Sequence, residues 1–222
     1  MHVRAHYFVP VPASILTVVA LLASVLAAPA TMGGPLVGFV ETWPGTSLQG
    51  WGGGAELANP GTGGAGGAGD GFLLVSTPFP AHLGTNSFGS EYAGDWIAAG
   101  VNKVHLWLND VGGTQPLEIH FGIGNGLNFW EYTIGFAPPS RAWKEFVVDL
   151  STPLNFTRII GQGTFQAALQ RVDRIHVRHD AWPYVQSPDY MQGDVGIDGL
   201  LLTNDAVPVQ PPSWGRLKRF YR

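Results

Sequence analysis

The sequence contains no cysteine, so no disulfide bond stabilises its fold and no thiol is available as a nucleophile. It also lacks the G-x-S-x-G elbow of serine hydrolases and a Gly-Lys-Ser or Gly-Lys-Thr phosphate-binding motif. The Glu-x-Asp-x-x-Glu strand that supplies paired carboxylates in some glycosidases is missing as well. These absences argue against an enzyme.

Long apolar runs are scarce, and the one at residues 15–27 lies near the start of the chain. Arg4 and two histidines precede it, and Ala28 and Ala30 follow as a small-x-small cleavage pattern. This order predicts a secretory signal peptide over residues 1–30, too short to anchor the protein stably in a membrane. We therefore expect an exported protein, secreted or extracytoplasmic.

Positive charge is also scarce in the body of the chain. Asp and Glu number 16 against 12 Lys and Arg. Five of these bases lie near the two ends: Arg4, Arg216, Lys218, Arg219 and Arg222. An acidic, exported body argues against nucleic acid as a partner and favours neutral ligands and cations.

Alternation of apolar and polar residues is the main pattern that the sequence does contain. It recurs around residues 103–108, 117–121, 129–134, 146–150, 174–178 and 195–202, with Gly, Pro and Asn between the segments. Period-two segments of this kind predict antiparallel strands. We expect an all-β protein, a two-sheet antiparallel β-sandwich of jelly-roll topology, with one short helix after Thr164 as N-cap.

The sandwich is expected to span residues 37–204, after a disordered segment at 31–36. A Pro-rich linker and a short basic tail then occupy residues 205–222. The tail is either a signal for sorting or attachment to an anionic envelope or a frayed end. The sequence leaves the oligomeric state open.

Residues 50–71 form a loop with eleven glycines. The G-x-G-x-x-G pattern at residues 61–66 is not a dinucleotide fingerprint, because the loop runs into a predicted strand rather than a helix. Its accessible carbonyl groups and terminal carboxylate, Asp70, suit calcium. A merely flexible surface loop is the alternative.

Three segments resemble the galactose-binding-like jelly rolls, a group that includes many carbohydrate-binding modules and uncharacterised bacterial secreted proteins. They are residues 39–43 with Gly50 and Trp51, the end of the glycine loop at 69–71, and residues 196–202. The resemblance covers residues 37–204 and implies a structural calcium held by Glu41, Asp70 and Asp198. Gly199 stands where such modules usually have Asn. In the alternative, Asp198 bonds a neighbouring loop.

A set of polar and aromatic residues is expected to point outward from the strands and to bind a glycan by stacking and hydrogen bonding. The set is His105, Trp107, Glu118, His120, Phe129, Glu131, His176 and Arg178. Loop aromatics Trp96, Trp182 and Tyr184 are an alternative site at the rim. Residues 176–180 lack the converging ligands that zinc requires.

We therefore expect a secreted, non-catalytic carbohydrate-binding module with a structural calcium. One alternative is a cell-surface structural or adhesion protein that uses its C-terminal tail for sorting. The other is a polysaccharide hydrolase or lyase that uses Glu118 or Glu131 with a histidine.

Overall fold

The computed structural model describes residues 34–112 and 115–204. The predicted signal peptide and the C-terminal linker and tail lie outside the described residues, as do residues 31–33 of the segment predicted to be disordered. Residues 34–36 have no regular secondary structure. Within the described part of the chain, no helix has both the length and the apolar character needed to cross a membrane.

The described residues form twelve β-strands and two short α-helices. The strands are β1 (Val40–Glu41), β2 (Trp51–Gly52), β3 (Glu56–Ala58), β4 (Leu73–His82), β5 (Gly84–Ser87), β6 (Lys103–Asp110), β7 (Ile119–Asn125), β8 (Asn128–Tyr132), β9 (Lys144–Asp149), β10 (Phe156–Gly161), β11 (Arg174–His179) and β12 (Tyr190–Thr203). The helices are α1 (Trp96–Ala99) and α2 (Phe165–Leu169).

Two six-stranded sheets pack face to face. Sheet A has the order β3-β4-β12-β6-β9, with β1 also paired to β12, and sheet B has the order β10-β8-β7-β11-β5-β2. Every pairing between these strands is antiparallel. The predicted all-β, two-sheet antiparallel sandwich is confirmed.

The alternation in the sequence determines which side chains reach the core. Phe121 and Ile123 of β7 and Val177 of β11 are buried in the core on the side of sheet B. Leu106 and Leu108 of β6 are buried in the same core on the side of sheet A. Successive side chains of a strand point to opposite faces, so the residues between them face outward. In β7 the outward residues are buried too, because a loop covers that face of sheet B.

Both helices begin with a side-chain cap. Thr164 accepts a hydrogen bond from the Ala167 amide at 3.1 Å, as the sequence predicts for α2. Asp95 caps α1 in the same way, accepting from the Ala98 amide at 2.9 Å. The sequence predicts one helix, and α1 is a second. Its four residues make a single turn, which is too short for helical periodicity to show in the sequence.

Candidate functional site

The outer face of sheet B carries most of the predicted ligand-binding residues. The pairing places Gly122 of β7 between Glu131 of β8 and His176 of β11. His120 lies beside Arg178 in the next row of the same face. Phe129 belongs to this face as well, and its ring centroid is 4.8 Å from that of His176. The sheet therefore brings six of the predicted residues together: Glu118, His120, Phe129, Glu131, His176 and Arg178.

Glycine at position 122 allows these rings to meet across the sheet. A methyl group on Gly122 would lie 2.7 Å from the Phe129 ring and would overlap the His176 imidazole. Real Cβ atoms do not approach other atoms this closely, so any larger residue would separate the two rings. The face is thus built around one position without a side chain.

Residues 180–189, here called the strap, cover one end of this face. The Arg178 guanidinium donates hydrogen bonds to the carbonyl oxygens of Val185, at 2.6 Å, and Gln186, at 3.1 Å. Tyr184 packs its ring on His120, with centroids 4.7 Å apart, and donates its hydroxyl to Glu118 at 3.2 Å. The strap is therefore attached to sheet B through side chains of the sheet itself.

Arg178 is also the centre of a buried ion network. Its Nε donates to Glu131 at 2.9 Å, its Nη2 donates to the other oxygen of the same carboxylate, and Nη2 also donates to Asp180 at 2.5 Å. All three residues are buried. Two-point pairing of guanidinium with carboxylate is the strongest geometry for such a bond.

Burial changes the protonation of the groups around this network. It raises the pKa of Glu131, against the opposing effect of Arg178, and it raises the pKa of Asp180. Burial, together with the charges of Arg178 and Arg174, lowers the pKa of His176 well below its usual value. His176 is therefore neutral at pH 7, with one ring nitrogen able to donate and the other able to accept.

A cleft of about 270 Å³ opens beside the strap on the same face. Its polar lining includes His82, Asn86, Arg174, His176, Arg178 and Gln186, and its apolar lining includes Ile159, Ile160 and Pro188. Tyr190 stacks on His82 at 4.4 Å between centroids and is 71% exposed. The cleft thus combines hydrogen-bonding groups with an accessible aromatic ring at its edge.

The prediction that the residues of sheet B are exposed is wrong for five of them. His120, Phe129, Glu131, His176 and Arg178 are all buried. The strap, whose path over the sheet the alternation of a strand cannot reveal, contacts His120 and Arg178, and the Arg174 side chain lies over Phe129. Glu118 is partly exposed and contacts His120, with Oε1 3.3 Å from Nε2. Whether any of them binds a ligand stays a prediction.

His105 and Trp107 lie on the other side of the molecule. They belong to β6, and they face outward from sheet A. His105 Nδ1 is 3.1 Å from Glu145, and Trp107 is 36% exposed. The eight predicted residues therefore do not form one surface, because the core of the sandwich separates these two from the other six.

The glycine loop joins two of the three predicted calcium ligands over sheet A. Asp198 accepts a hydrogen bond from the Ala65 amide at 2.7 Å, and Asp70 accepts one from the Gly66 amide at 2.6 Å. Burial and the neighbouring Asp70 raise the pKa of Asp198 to about 6. The hypothesis that Asp198 bonds a neighbouring loop is confirmed.

Glu41 does not belong to this pair. Its carboxylate lies near the Tyr92 hydroxyl at 3.3 Å, and its pKa is raised by burial, with Glu91 as the nearby charge. Among the described residues, no three His, Asp or Glu side chains gather where they could hold a metal ion. Calcium binding therefore stays a prediction that depends on Asp70 and Asp198.

Sequence reasoning did not select Arg174, His82 or Asn86 for the site. Arg174 follows the same alternation as His176 and Arg178, so its outward direction was available from the sequence. His82 and Asn86 lie at the end of β4 and in β5. Of the loop aromatics proposed as an alternative site, Trp96 is buried, whereas Trp182 is exposed in the strap.

Comparison with known proteins shows the fold. An exo-β-agarase matches with a TM-score of 0.54 at 12% identity, over 77% of this chain and 25% of the agarase. The carbohydrate-binding module CtCBM11 matches with a TM-score of 0.49 at 21% identity, over 75% of this chain and 95% of that module. A family 11 carbohydrate-binding module from Clostridium thermocellum, in complex with a β-1,3-1,4-mixed-linked tetrasaccharide, has a TM-score of 0.45 at 18% identity. This match covers 71% of this chain and 90% of that module.

The fold is a two-sheet antiparallel β-sandwich that is similar to part of the exo-β-agarase. This confirms the resemblance to jelly-roll modules at the level of the fold. No protein-family model matches the chain, and no curated protein sequence matches it.

Proposed function

We propose that the chain is an exported, non-catalytic glycan-binding module and that the glycan occupies the cleft on the outer face of sheet B. The observation that carries this proposal is a set of unpartnered nitrogens on residues that line the cleft. Within the described residues, His82 Nδ1, Arg174 Nε and His176 Nε2 are buried without a hydrogen-bond partner. Buried polar groups are normally paired, so three such atoms around one cleft favour a polar ligand.

The aromatic ring at the edge of the cleft suits a sugar in particular. Sugar rings present an apolar face that stacks on aromatic side chains and a rim of hydroxyl groups that take part in hydrogen bonds. The exposed Tyr190 ring, held by His82, provides the first feature, and the unpartnered nitrogens provide the second. The carbohydrate ligand named for the family 11 module agrees with this class of partner.

The carboxylates do not favour catalysis. Glu131 is buried and paired with Arg178, so it is not available to transfer a proton to a substrate. The described lining of the cleft contains no Asp or Glu. A glycosidase needs two carboxyl groups flanking the scissile bond.

Glycan binding is tested by calorimetry and by a glycan array with two matched aromatic variants. Tyr190→Ala should weaken binding about fivefold to tenfold, the loss of roughly 1 kcal/mol of stacking. Phe88→Ala removes another exposed aromatic ring, one that stacks on no described residue of the cleft lining, and should bind as the parent does. Equal affinity of all three proteins would contradict the cleft as the site. Release of reducing or unsaturated ends from a polysaccharide would contradict a non-catalytic role.

The calcium proposal rests on Asp70 and Asp198. The two carboxylates and the Gly71 carbonyl oxygen lie close together, since a methyl group on Gly64 would be 2.6, 2.7 and 2.8 Å from Asp70 Oδ2, Asp198 Oδ2 and that carbonyl. Oxygen donors of this kind suit calcium, which takes six to eight of them. Chelation should lower the melting temperature of the parent and leave Asp198→Asn unchanged. A parent protein that melts identically with calcium and with chelator would rule the site out.

A further inference from the structure

The cleft differs in charge from the rest of the molecule. The chain as a whole has a net charge of −4, yet the charged or titratable residues that line the cleft are His82, Arg174, His176 and Arg178. Arginine is always charged in proteins, so the two arginines and their carboxylate partners decide the local charge of the cleft. This local charge bears on which glycan the cleft selects.

Arg178 does not provide that charge. Its guanidinium is paired with Glu131 and Asp180, and it also donates to the carbonyl oxygens of Val185 and Gln186 in the strap. Two carboxylates oppose its single positive charge. It is therefore a structural residue whose charge is already compensated within the fold.

Arg174 is different. In the described part of the chain, no carboxylate forms a salt bridge with it, and its Nε is buried without a partner. Its guanidinium lies over the Phe129 ring, 4.6 Å from the centroid, which fixes the side chain by a cation–π contact. A guanidinium held in place but unpaired is ready to form charge-assisted bonds with an anion.

His176 supports the same ligand as a hydrogen-bonding group. It is 7% exposed, its Nε2 has no hydrogen-bond partner, and it lines the cleft together with Arg174. Since the histidine is neutral at pH 7, it adds direction rather than charge. One fixed cation and one buried neutral imidazole form a site for a carboxylate or sulfate group next to hydroxyl groups.

We propose that the cleft selects an anionic glycan, in which a carboxylate or a sulfate group of the sugar pairs with Arg174. This inference rests on the proposed glycan-binding function and specifies its ligand class. The proposal departs from the expectation of neutral ligands, which follows from the overall acidic composition, because Arg174 lines the cleft without a carboxylate partner among the described residues.

The test compares oligosaccharides that differ only in charge. A panel of uronate-containing oligosaccharides is measured by calorimetry against the methyl ester of each member, and sulfated oligosaccharides are measured against their desulfated forms. The charged member of a pair should bind at least about tenfold more tightly, the effect of one charge-assisted pair. A preference limited to the uronate pairs identifies carboxylate as the ligand group, and one limited to the sulfated pairs identifies sulfate.

Two variants assign the preference to a residue. Arg174→Met should abolish the difference within each pair, and it should remove the weakening of binding by salt. Arg171→Met alters an exposed arginine three residues away, and this variant should keep both the preference for the charged sugar and the weakening of binding by salt. Melting temperatures of both variants check that the fold is intact.

The outcomes separate the two proposals. Equal binding of charged and uncharged members would overturn the selection of anions and leave glycan binding in place. Binding of no glycan in either panel or in the array would overturn both. A charge preference that survives Arg174→Met would overturn the role of Arg174.

Discussion

The two outer faces of the sandwich are each covered by a loop, and the loops are held by opposite charges. Over sheet A, the carboxylates of Asp70 and Asp198 accept hydrogen bonds from amides of the glycine loop. Over sheet B, the Arg178 guanidinium donates to carbonyl oxygens of the strap. In both places a charged side chain binds the backbone of a loop: carboxylates do so over sheet A, and a guanidinium does so over sheet B.

The glycine loop and the strap differ in composition and in how much of their sheet they leave open. The glycine loop approaches the sheet so closely that a methyl group on Gly64 would be 2.7 Å from Asp198 Oδ2. The strap contains no glycine and carries Trp182, Pro183 and Tyr184. Of these, Tyr184 contacts His120 and Glu118 of the sheet, and the cleft lies beside the strap. The glycine loop thus lies close against sheet A, whereas sheet B has a cleft with room for a ligand beside the strap.

The largest expected effect comes from breaking the strap. Arg178→Met leaves the Glu131 carboxylate buried without a partner, and we expect the free energy of unfolding to fall by about 3–5 kcal/mol. Urea denaturation measures the change. Arg171→Met, at an exposed position, should stay within about 0.5 kcal/mol of the parent.

A combined variant gives the sharper form of this test. If the cost arises from the unpaired carboxylate, Arg178→Met with Glu131→Gln should recover part of the lost stability. No recovery in the double variant would mean that the attachment of the strap, rather than the buried charge, dominates.

A change in pH tests the carboxylates that bind the glycine loop. Because the pKa of Asp198 in the fold, about 6, lies above its usual 3.8, the protonated form favours the fold. That stabilisation is complete below about pH 4 and is lost as the pH rises through 6. Relative to Asp198→Asn, the parent should lose about 2 kcal/mol between pH 4 and pH 7 in the absence of calcium. Parallel stability curves for the two proteins would contradict the raised pKa.

A smaller effect is expected from obstructing the glycine loop. Gly64→Ala places a methyl group against Asp70, Asp198 and the Gly71 carbonyl, and overpacking of this kind costs about 1–3 kcal/mol. Gly126→Ala, where a methyl group meets nothing within 4 Å, is the matched control. If thermal melts of the two variants agree, the loop adapts and its close approach is not a constraint.

The sandwich could be predicted because its signal is local. The alternation in β6, β7, β8 and β11 determines which residues face the core, and the Thr164 hydroxyl fixes the start of α2. Each inference needs only neighbouring residues. The two sheets follow, because every strand has one apolar face to bury.

The composition of the site could not be predicted in the same way. Alternation shows that Trp107 and His176 both point outward, but it does not show that β6 and β11 belong to different sheets. Nor does it show the strap, which buries Glu131 through bonds that Arg178 makes with residues seven and eight positions later. Local patterns determine faces, whereas partners across the fold determine exposure.

The smallest expected effect tests which face binds. Trp107 lies on the outer face of sheet A, where its ring leans over Gly199 at 36% exposure, with the whole core between it and the cleft. Distant sites act independently to within about 0.5 kcal/mol, so Trp107→Ala should change glycan affinity by no more than about twofold. Calorimetry measures the glycan affinities of Trp107→Ala and Tyr190→Ala under the same conditions. If Trp107→Ala weakens binding while Tyr190→Ala does not, the ligand binds on the outer face of sheet A, beside the glycine loop.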